Sequence, residues 1–253
     1  MELASGSDGQ WIAGALERRL SMELWDESLG TVAATIPDNF QAYARIFHRM
    51  DGGRDLDRRW ADLARARGTR LHPAAQFHRL AQTGLYQDAV VRGEGGVEYW
   101  RPRQGELDEG QLLALTALLG GHTAGEQDIF QAVWVGWGGF EPGSGSIPSG
   151  RGQALTVANG LRKYWVFRGS LGELAHPPWF DDGLGFSSPT ANLAWPADRS
   201  WCLATEIDFD STLVGGTAEL VDAVVHSEVL EALQVTPSTD LSSEGDVVNS
   251  PQQ

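Results

Sequence analysis

The residues best suited to chemistry lie in the stretch EIDFDSTLVGG, residues 206–216. Asp208 and Asp210 stand two positions apart, and Thr212 and Leu213 follow them. In this order the first carboxylate could attack a phosphoryl group while the second transfers the proton. Glu206 adds another carboxylate two positions earlier. The stretch therefore raises three alternatives: phosphoryl transfer, metal binding, or a β-strand that happens to carry acids.

The DxDxT-hydrophobic pattern is the one that opens haloacid-dehalogenase-type phosphatases. Those enzymes need later motifs: a Ser or Thr, a Lys, and an acidic pair for magnesium, arranged around a parallel sheet. No lysine follows Leu213 in this chain, and the single lysine, Lys163, lies upstream together with the doublet Asp181 and Asp182. Because the later motifs would have to be permuted, the sequence disfavours a phosphatase.

A strand explains the same residues without chemistry. Strand alternation places Trp201, Leu203, Thr205, Ile207 and Phe209 on one face, and the acids on the other. We therefore predict that the acids lie at the solvent end of a strand. The competing hypothesis is a metal-assisted hydrolase, in which the carboxylates of Glu206 and Asp208 bind a hard cation with His48.

The other reactive residue types do not form a recognisable pattern. None of the six histidines pairs as HxH or HExxH, and Cys202 is the only cysteine. The sequence also lacks a GxSxG elbow and a glycine-rich phosphate loop that ends in GKS or GKT. We therefore assign no catalytic residue and expect no cofactor, and we interpret the chain as more in keeping with a non-enzyme.

Tryptophans are frequent and gather in the C-terminal half of this acidic chain. Aromatic residues at such density form cores, and they also line pockets. The favoured interpretation is a non-catalytic binding or interaction protein, whose protein or small-molecule partner contacts an aromatic-lined surface. The residues predicted for that surface are Trp137, Tyr164, Arg168, Trp195, Asp198 and Arg199.

A second alternative is helix-turn-helix-like DNA binding through residues 58–79, which are locally basic. Its contacts to DNA would come from Arg58, Arg59, Arg65 and Arg70. The chain as a whole carries a formal net charge of −15, so most of its surface would repel a polyanion. Nucleic acid is therefore a disfavoured partner.

Composition and hydropathy indicate the cellular compartment in which we expect the protein. Of the 253 residues, 42% are hydrophobic and 21% are charged, which is ordinary globular usage. The single cysteine favours a reducing compartment. No uncharged apolar stretch of about 18 residues and no signal-peptide pattern occurs. We expect a cytoplasmic protein that does not contact a membrane.

Hydrophobic periodicity predicts helices at 10–29, 57–67 and 107–119 and from Gly216 onward. It predicts strands after Pro37, at 129–140, from Lys163 and from Ser200. We predict a single α+β domain at residues 10–235, with a mostly antiparallel sheet and packed helices, followed by a disordered acidic tail at 236–253. A division into two domains near Gly105 is the alternative.

Three segments carry a resemblance: VWVGWG at 133–138, RKYWVFRGSL at 162–171, and AWPADRSWCLATEIDFDSTLVGG at 194–216. There the chain resembles a family of uncharacterised actinobacterial proteins, which show WEGWG, an aromatic strand with a Gly-containing turn, and WWP-x-DR-x-W-x-VATEID before ST-x-VGG. IPDNFQAYARIFHRM and LHPAAQFH are also similar to the family's earlier segments. Val135 stands where the family often has Glu, and Ala194 where it often has Trp. The family has no established activity, so the resemblance implies a strand and turn at EIDFDST rather than a function.

Overall fold

The computed structural model of the protein describes residues 1–19, 30–52, 54, 56–85, 87–125, 128–137, 154–157, 160–177 and 190–250. Within them the strands are β1 Glu2–Leu3, β2 Ala42–Phe47, β3 Val90–Arg92, β4 Glu98–Trp100, β5 Ile129–Trp134, β6 Leu155–Val157, β7 Arg162–Gly169, β8 Leu193–Pro196, β9 Cys202–Ala204, β10 Ser211–Gly216 and β11 Ala232–Val235. The helices are α1 Gln10–Arg19, α2 Val32–Thr35, α3 Trp60–Arg67, α4 Phe77–Ala81, α5 Glu109–Gly120, α6 Gly172–Ala175 and α7 Ala218–Val225.

Eight of the described strands form one antiparallel sheet in the order β1-β7-β5-β8-β9-β10-β2-β11. The short β6 joins the same edge of β7 as β1 does, and β3 and β4 form a separate hairpin. The predicted α+β class with a mostly antiparallel sheet is confirmed. No described helix combines the length and the apolar character needed to cross a membrane.

Helices cover both faces of the sheet because each strand alternates its buried side chains between two cores. Leu115 of α5 and Leu220 of α7 pack with Val214 of β10 on one face. Leu16 of α1 and Val32 of α2 belong to the core of the other face, together with the next residue of β10, Leu213. A third cluster, built on Trp60 of α3, packs beside the sheet. The face that carries α1 and α2 holds the site described below.

Helix starts show where local sequence rules succeed and where they fail. Asp108 caps α5 as its side chain accepts from the Gln111 amide at 3.0 Å. Two aspartates, Asp55 and Asp57, precede α3, and aspartate is a common cap residue. Asp55 lies outside the described residues, and Asp57 instead accepts from Arg59 at 3.1 Å. The first two amides of α3 donate to the distant Glu231, at 2.6 and 2.8 Å.

Two other boundaries differ from the prediction. The strand predicted from Ser200 through the acids ends at Ala204, and a turn closes as the Phe209 amide donates to the Glu206 carbonyl at 3.0 Å. The helix from Gly216 ends at Val225, and Leu230 is buried outside any helix. Residues 20–29, the second half of the predicted first helix, and residues 138–140 at the end of the predicted central strand lie outside the described residues.

The predicted disorder after Val235 is not what residues 236–250 show. This segment crosses α2, where the Val32 amide donates to the Thr239 carbonyl at 3.1 Å. Asp246 is 0% exposed and accepts from His72 Nε2 at 2.7 Å and from the Gln76 amide at 3.1 Å. A buried, fully bonded acid anchors a segment whose composition looks solvated. Residues 251–253 lie outside the described residues.

Candidate functional site

A cavity of about 300 Å³ lies between α1, α2 and the face of the sheet that they cover. Its apolar wall comes from Leu16, Ala34, Val157, Leu161, Leu193, Ala204 and Phe209, and its polar groups from Thr35, Arg162, Tyr164, Asn192, Thr205, Glu206 and Asp208. Most polar groups come from β7 and the β9–β10 turn. The cavity is thus an apolar pocket with a polar, charged end.

The charged end is an ion-pair network centred on Arg162. Its Nε and Nη2 atoms donate to the same oxygen, Glu206 Oε1, at 3.0 and 2.8 Å. Nη2 also donates to Asp208 Oδ2 at 3.1 Å. No described residue donates a hydrogen bond to the second oxygen of Glu206, Oε2. One guanidinium against two carboxylates leaves this end with a net negative charge and a free acceptor.

Tyr164 lies in the same cavity and is 4% exposed. Its hydroxyl has no hydrogen-bond partner among the described residues. Burial raises its pKa, and the nearby charge of Glu206 raises it further, so the phenol stays neutral at physiological pH. Tyr43, which is 3% exposed, differs because its hydroxyl donates to the Pro37 carbonyl at 3.0 Å and accepts from the Phe40 amide at 2.9 Å.

The backbone places these groups by simple rules. Arg162 and Tyr164 are two apart on β7, so both project to the α1/α2 face. The acids sit on the β9–β10 turn, which is held by the segment before α5: the Gly105 amide donates to the Phe209 carbonyl at 2.9 Å. Gly105 has a φ of +73°, and a Cβ there would meet the Ile207 backbone at 3.0 Å. Glycine lets this segment approach the turn.

Asn192 is a wall residue that the sequence does not mark. Its Oδ1 accepts from the Trp134 amide at 2.8 Å and from Trp137 Nε1 at 3.2 Å. Its Nδ2 donates to the Thr205 carbonyl at 3.0 Å. Trp137, predicted to touch a partner, therefore acts here by holding Asn192 in place. An isolated asparagine before a strand carries no pattern that would have revealed this role.

The structure does not bring the predicted metal ligands together. His48 is buried and lines a different cavity. Its Nδ1 lies 2.7 Å from the Arg103 carbonyl, and its Nε2 lies 2.9 Å from Thr212 Oγ1. Burial lowers its pKa to about 4. Among the described residues, no group of three or more His, Cys, Asp or Glu side chains is placed to hold a metal ion.

The phosphatase-like aspartates have separate environments. Asp208 is exposed and pairs with Arg162, whereas Asp210 pairs with the buried Arg45 at 3.3 Å. The two carboxylates therefore do not form the nucleophile and acid pair that the spacing suggested, and the sheet around them is antiparallel.

The predicted aromatic surface is mostly an internal stack. Trp195 is buried and stacks on Phe130 with ring centroids 5.6 Å apart. The exposed Arg168 lies over Phe130 and pairs with Asp128. At the other end of the stack, the exposed Arg199 lies 5.4 Å from the centre of the Trp11 ring, which meets Trp195 edge-on. Asp198 accepts from the Ser200 amide at 2.9 Å. Of the six residues predicted for the binding surface, Tyr164 is the one that lines the cavity.

The segment predicted to bind DNA has different proportions from a helix-turn-helix. Helices α3 and α4 are separated by the nine residues 68–76, where the motif uses a turn of three or four. Helix α4 is five residues long, and Phe77, His78, Leu80 and Ala81 are buried. Its exposed side therefore offers little surface to a DNA groove.

Comparison of the chain with protein-family models, with curated proteins and with solved structures gives no match. The function is therefore inferred from the geometry of the site.

Proposed function

We propose that the protein binds a small, largely apolar molecule with one hydrogen-bond-donating head, a hydroxyl or an amine, in the cavity beside α1 and α2. The observation that carries this proposal is the Tyr164 hydroxyl, which has no partner among the described residues although the side chain is buried and lines a cavity. A hydroxyl that opens onto a cavity is available to a bound molecule. A ligand that bonds to this hydroxyl gains a net contribution of about 0.5–1.5 kcal/mol.

The charge of the polar end selects the head group. Among the described residues Glu206 Oε2 is an acceptor without a donor, and the ion-pair network of Arg162, Glu206 and Asp208 has a net negative charge. A ligand hydroxyl can donate to this oxygen and accept a hydrogen bond from the tyrosine hydroxyl. A ligand ammonium group can donate to both. A carboxylate or phosphate head would be repelled by the net negative charge, since Nε and Nη2 of Arg162 already bond to the two acids and Nη1 donates to the Leu161 carbonyl at 3.5 Å.

Size and lining select the body of the ligand. The volume of about 300 Å³ is at the lower end of the range of about 300–1,000 Å³ for small-molecule pockets. Aliphatic side chains such as Leu16, Leu161 and Leu193 surround the volume. A ligand body made of one aromatic ring or an unbranched aliphatic chain therefore suits this apolar lining better than a polar sugar or a nucleotide does.

The same contacts favour binding over the metal-assisted hydrolase. Arg162 donates to one oxygen of each acid, Glu206 Oε1 and Asp208 Oδ2. A hard cation that bound the remaining oxygens would lie beside the positive guanidinium, which repels it. The carboxylates are thus better suited to orient a ligand than to hold a metal.

A matched set of probes with one skeleton tests the proposal: 2-phenylethanol, 2-phenylethylamine and phenylacetate, each titrated during thermal melting of the full chain. We expect the alcohol and the amine to raise the melting temperature as their concentration increases, because they bind the folded state. Phenylacetate serves as the control and should leave it unchanged. An equal rise with phenylacetate, or no rise with any of the three, would contradict the proposal.

A further inference from the structure

A second, larger cavity of about 820 Å³ opens where α5 begins. The residues after β2, the segment that leads into α5, and the end of α6 contribute to its walls. Leu112 and Leu113 supply an apolar side, and charged residues surround it. It is separate from the cavity proposed above, since the two share no lining residue.

The charges around this cleft are unbalanced. Its acids are Asp51, Glu106, Asp108 and Glu109, and its arginines are Arg49 and Arg103. Arg49 Nε lies 3.8 Å from Asp108 Oδ2, and Arg103 Nη1 lies 3.5 Å from Glu106 Oε2. Four carboxylates against two guanidiniums leave a negative potential inside a concave surface, which concentrates cations.

Two polar atoms of the cleft have no hydrogen-bond partner among the described residues. Thr190 lines the cleft and is 9% exposed, and its uncharged Oγ1 bonds to no described residue. Asp108 uses Oδ1 to cap α5, whereas its Oδ2 accepts no hydrogen bond from a described residue and only faces Arg49 Nε at 3.8 Å. Burial raises the pKa of Asp108. Buried polar atoms without a partner also occur elsewhere among the described residues. The place of these two in a concave, negatively charged cleft is what points to a bound group.

We infer that this cleft binds a linear organic polycation of polyamine type, with ammonium groups at Asp108 and Thr190 and methylene groups along Leu112 and Leu113. An ammonium donates up to three hydrogen bonds, so one group can serve both the Asp108 carboxylate and the Thr190 hydroxyl. The methylene segments between charges match the leucine side. A metal ion fits less well, because among the described residues no three acidic or histidine side chains converge.

Titration of the full chain with spermidine at low ionic strength, followed by calorimetry, tests this inference. The first variant is Asp108→Asn, which keeps the helix cap because Asn caps as well as Asp while removing the charge. We expect it to weaken spermidine binding about tenfold, as expected for one lost charged hydrogen bond. Asp222→Asn on the exposed side of α7 is the control with the same charge change, and it should leave the affinity unchanged.

A second variant, Thr190→Val, guards against an effect of folding. Because Thr190 Oγ1 has no partner, the free variant should melt at the same temperature as the wild type or higher, while spermidine binds about threefold more weakly. Tyr164→Phe in the other cavity should not alter spermidine binding, so failure here and failure of the proposed function are distinguishable. The inference is overturned if spermidine does not bind the wild type, or if Asp108→Asn and Asp222→Asn weaken it equally.

Discussion

Two clusters of polar side chains in the described part of the chain differ in whether the protein completes their hydrogen bonds. Arg45 is 1% exposed, and it donates to Ser211 Oγ at 2.9 Å, to the Pro73 and Ala75 carbonyls at 3.0 and 2.8 Å, and to Asp210 Oδ1 at 3.3 Å. Its guanidinium also lies over the Phe47 ring, 4.6 Å from the centroid. Other groups of the protein therefore accept the hydrogen bonds that the Arg45 guanidinium donates.

The cavity cluster is left open. The Tyr164 hydroxyl and Glu206 Oε2 have no hydrogen-bond partner among the described residues, and both side chains line the cavity. The comparison teaches that burial of a polar group does not reveal its role. Groups bonded by the protein support the fold, and in our proposal the groups left open in a cavity are available to a ligand. Substitutions should therefore reduce stability in the first cluster and binding in the second.

The largest effect is expected at Arg45. Arg45→Met keeps much of the volume but leaves the partly buried Asp210 without its cation, so we expect a loss of about 3–5 kcal/mol in the free energy of unfolding. Burial raises the pKa of Asp210 and the charge of Arg45 lowers it, so removal of Arg45 makes the charged carboxylate less favourable. Urea unfolding at pH 7 measures the change. A loss below about 1 kcal/mol would show that the cluster is not a structural anchor.

His48 belongs to the closed class, since both of its ring nitrogens have partners. Burial lowers its pKa from 6.5 to about 4. At pH values between these two, His48 binds a proton in the unfolded chain but not in the folded protein. The free energy of unfolding therefore falls as the pH falls from about 6.5 to about 4. The integrated loss is on the order of 3 kcal/mol.

Urea unfolding at several pH values in that window measures this loss. His48→Gln removes the titrating group and should flatten the dependence there, whatever its effect on stability at pH 7. A variant that retains the full slope would mean that other groups cause it.

The two tyrosines give the smallest and sharpest contrast. Tyr43→Phe leaves the Pro37 carbonyl and the Phe40 amide without their partner, and should cost about 1–2 kcal/mol of unfolding free energy. Tyr164→Phe removes a hydroxyl with no described partner, and should change stability by less than about 0.5 kcal/mol. Chemical denaturation of both variants measures the difference. Equal losses would contradict the division into closed and open clusters.

The sequence predicts the elements whose signals are local. Asp108 and the apolar run after it predict α5, and the alternation from Lys163 predicts β7, which carries Arg162 and Tyr164. The sequence does not predict α3's capping by Glu231, which lies about 170 residues away. Nor does it predict the anchoring of 236–250 by Asp246, because His72 and Gln76 come from a distant part of the chain.

The candidate site was predicted only in parts, for the same reason. Tyr164, Glu206 and Asp208 were each singled out, but as members of two different hypotheses. Their meeting depends on Arg162 reaching across from β7 to the β9–β10 turn. If residues 205–210 are predicted as a strand, their acids are expected in solvent, and the contact with Arg162 is not predicted. Contacts between distant elements determine which polar groups lack a hydrogen-bond partner. The spacing of residues along the sequence does not contain this information.

The most direct test of the central claim is a calorimetric titration of 2-phenylethanol into the wild type, Tyr164→Phe and the control Tyr99→Phe, a buried tyrosine of the Trp60 cluster. We predict one binding site per chain, with affinity lowered about fivefold by Tyr164→Phe and unchanged by Tyr99→Phe. Identical isotherms for all three proteins would contradict the claim that the open hydroxyl of Tyr164 receives a ligand.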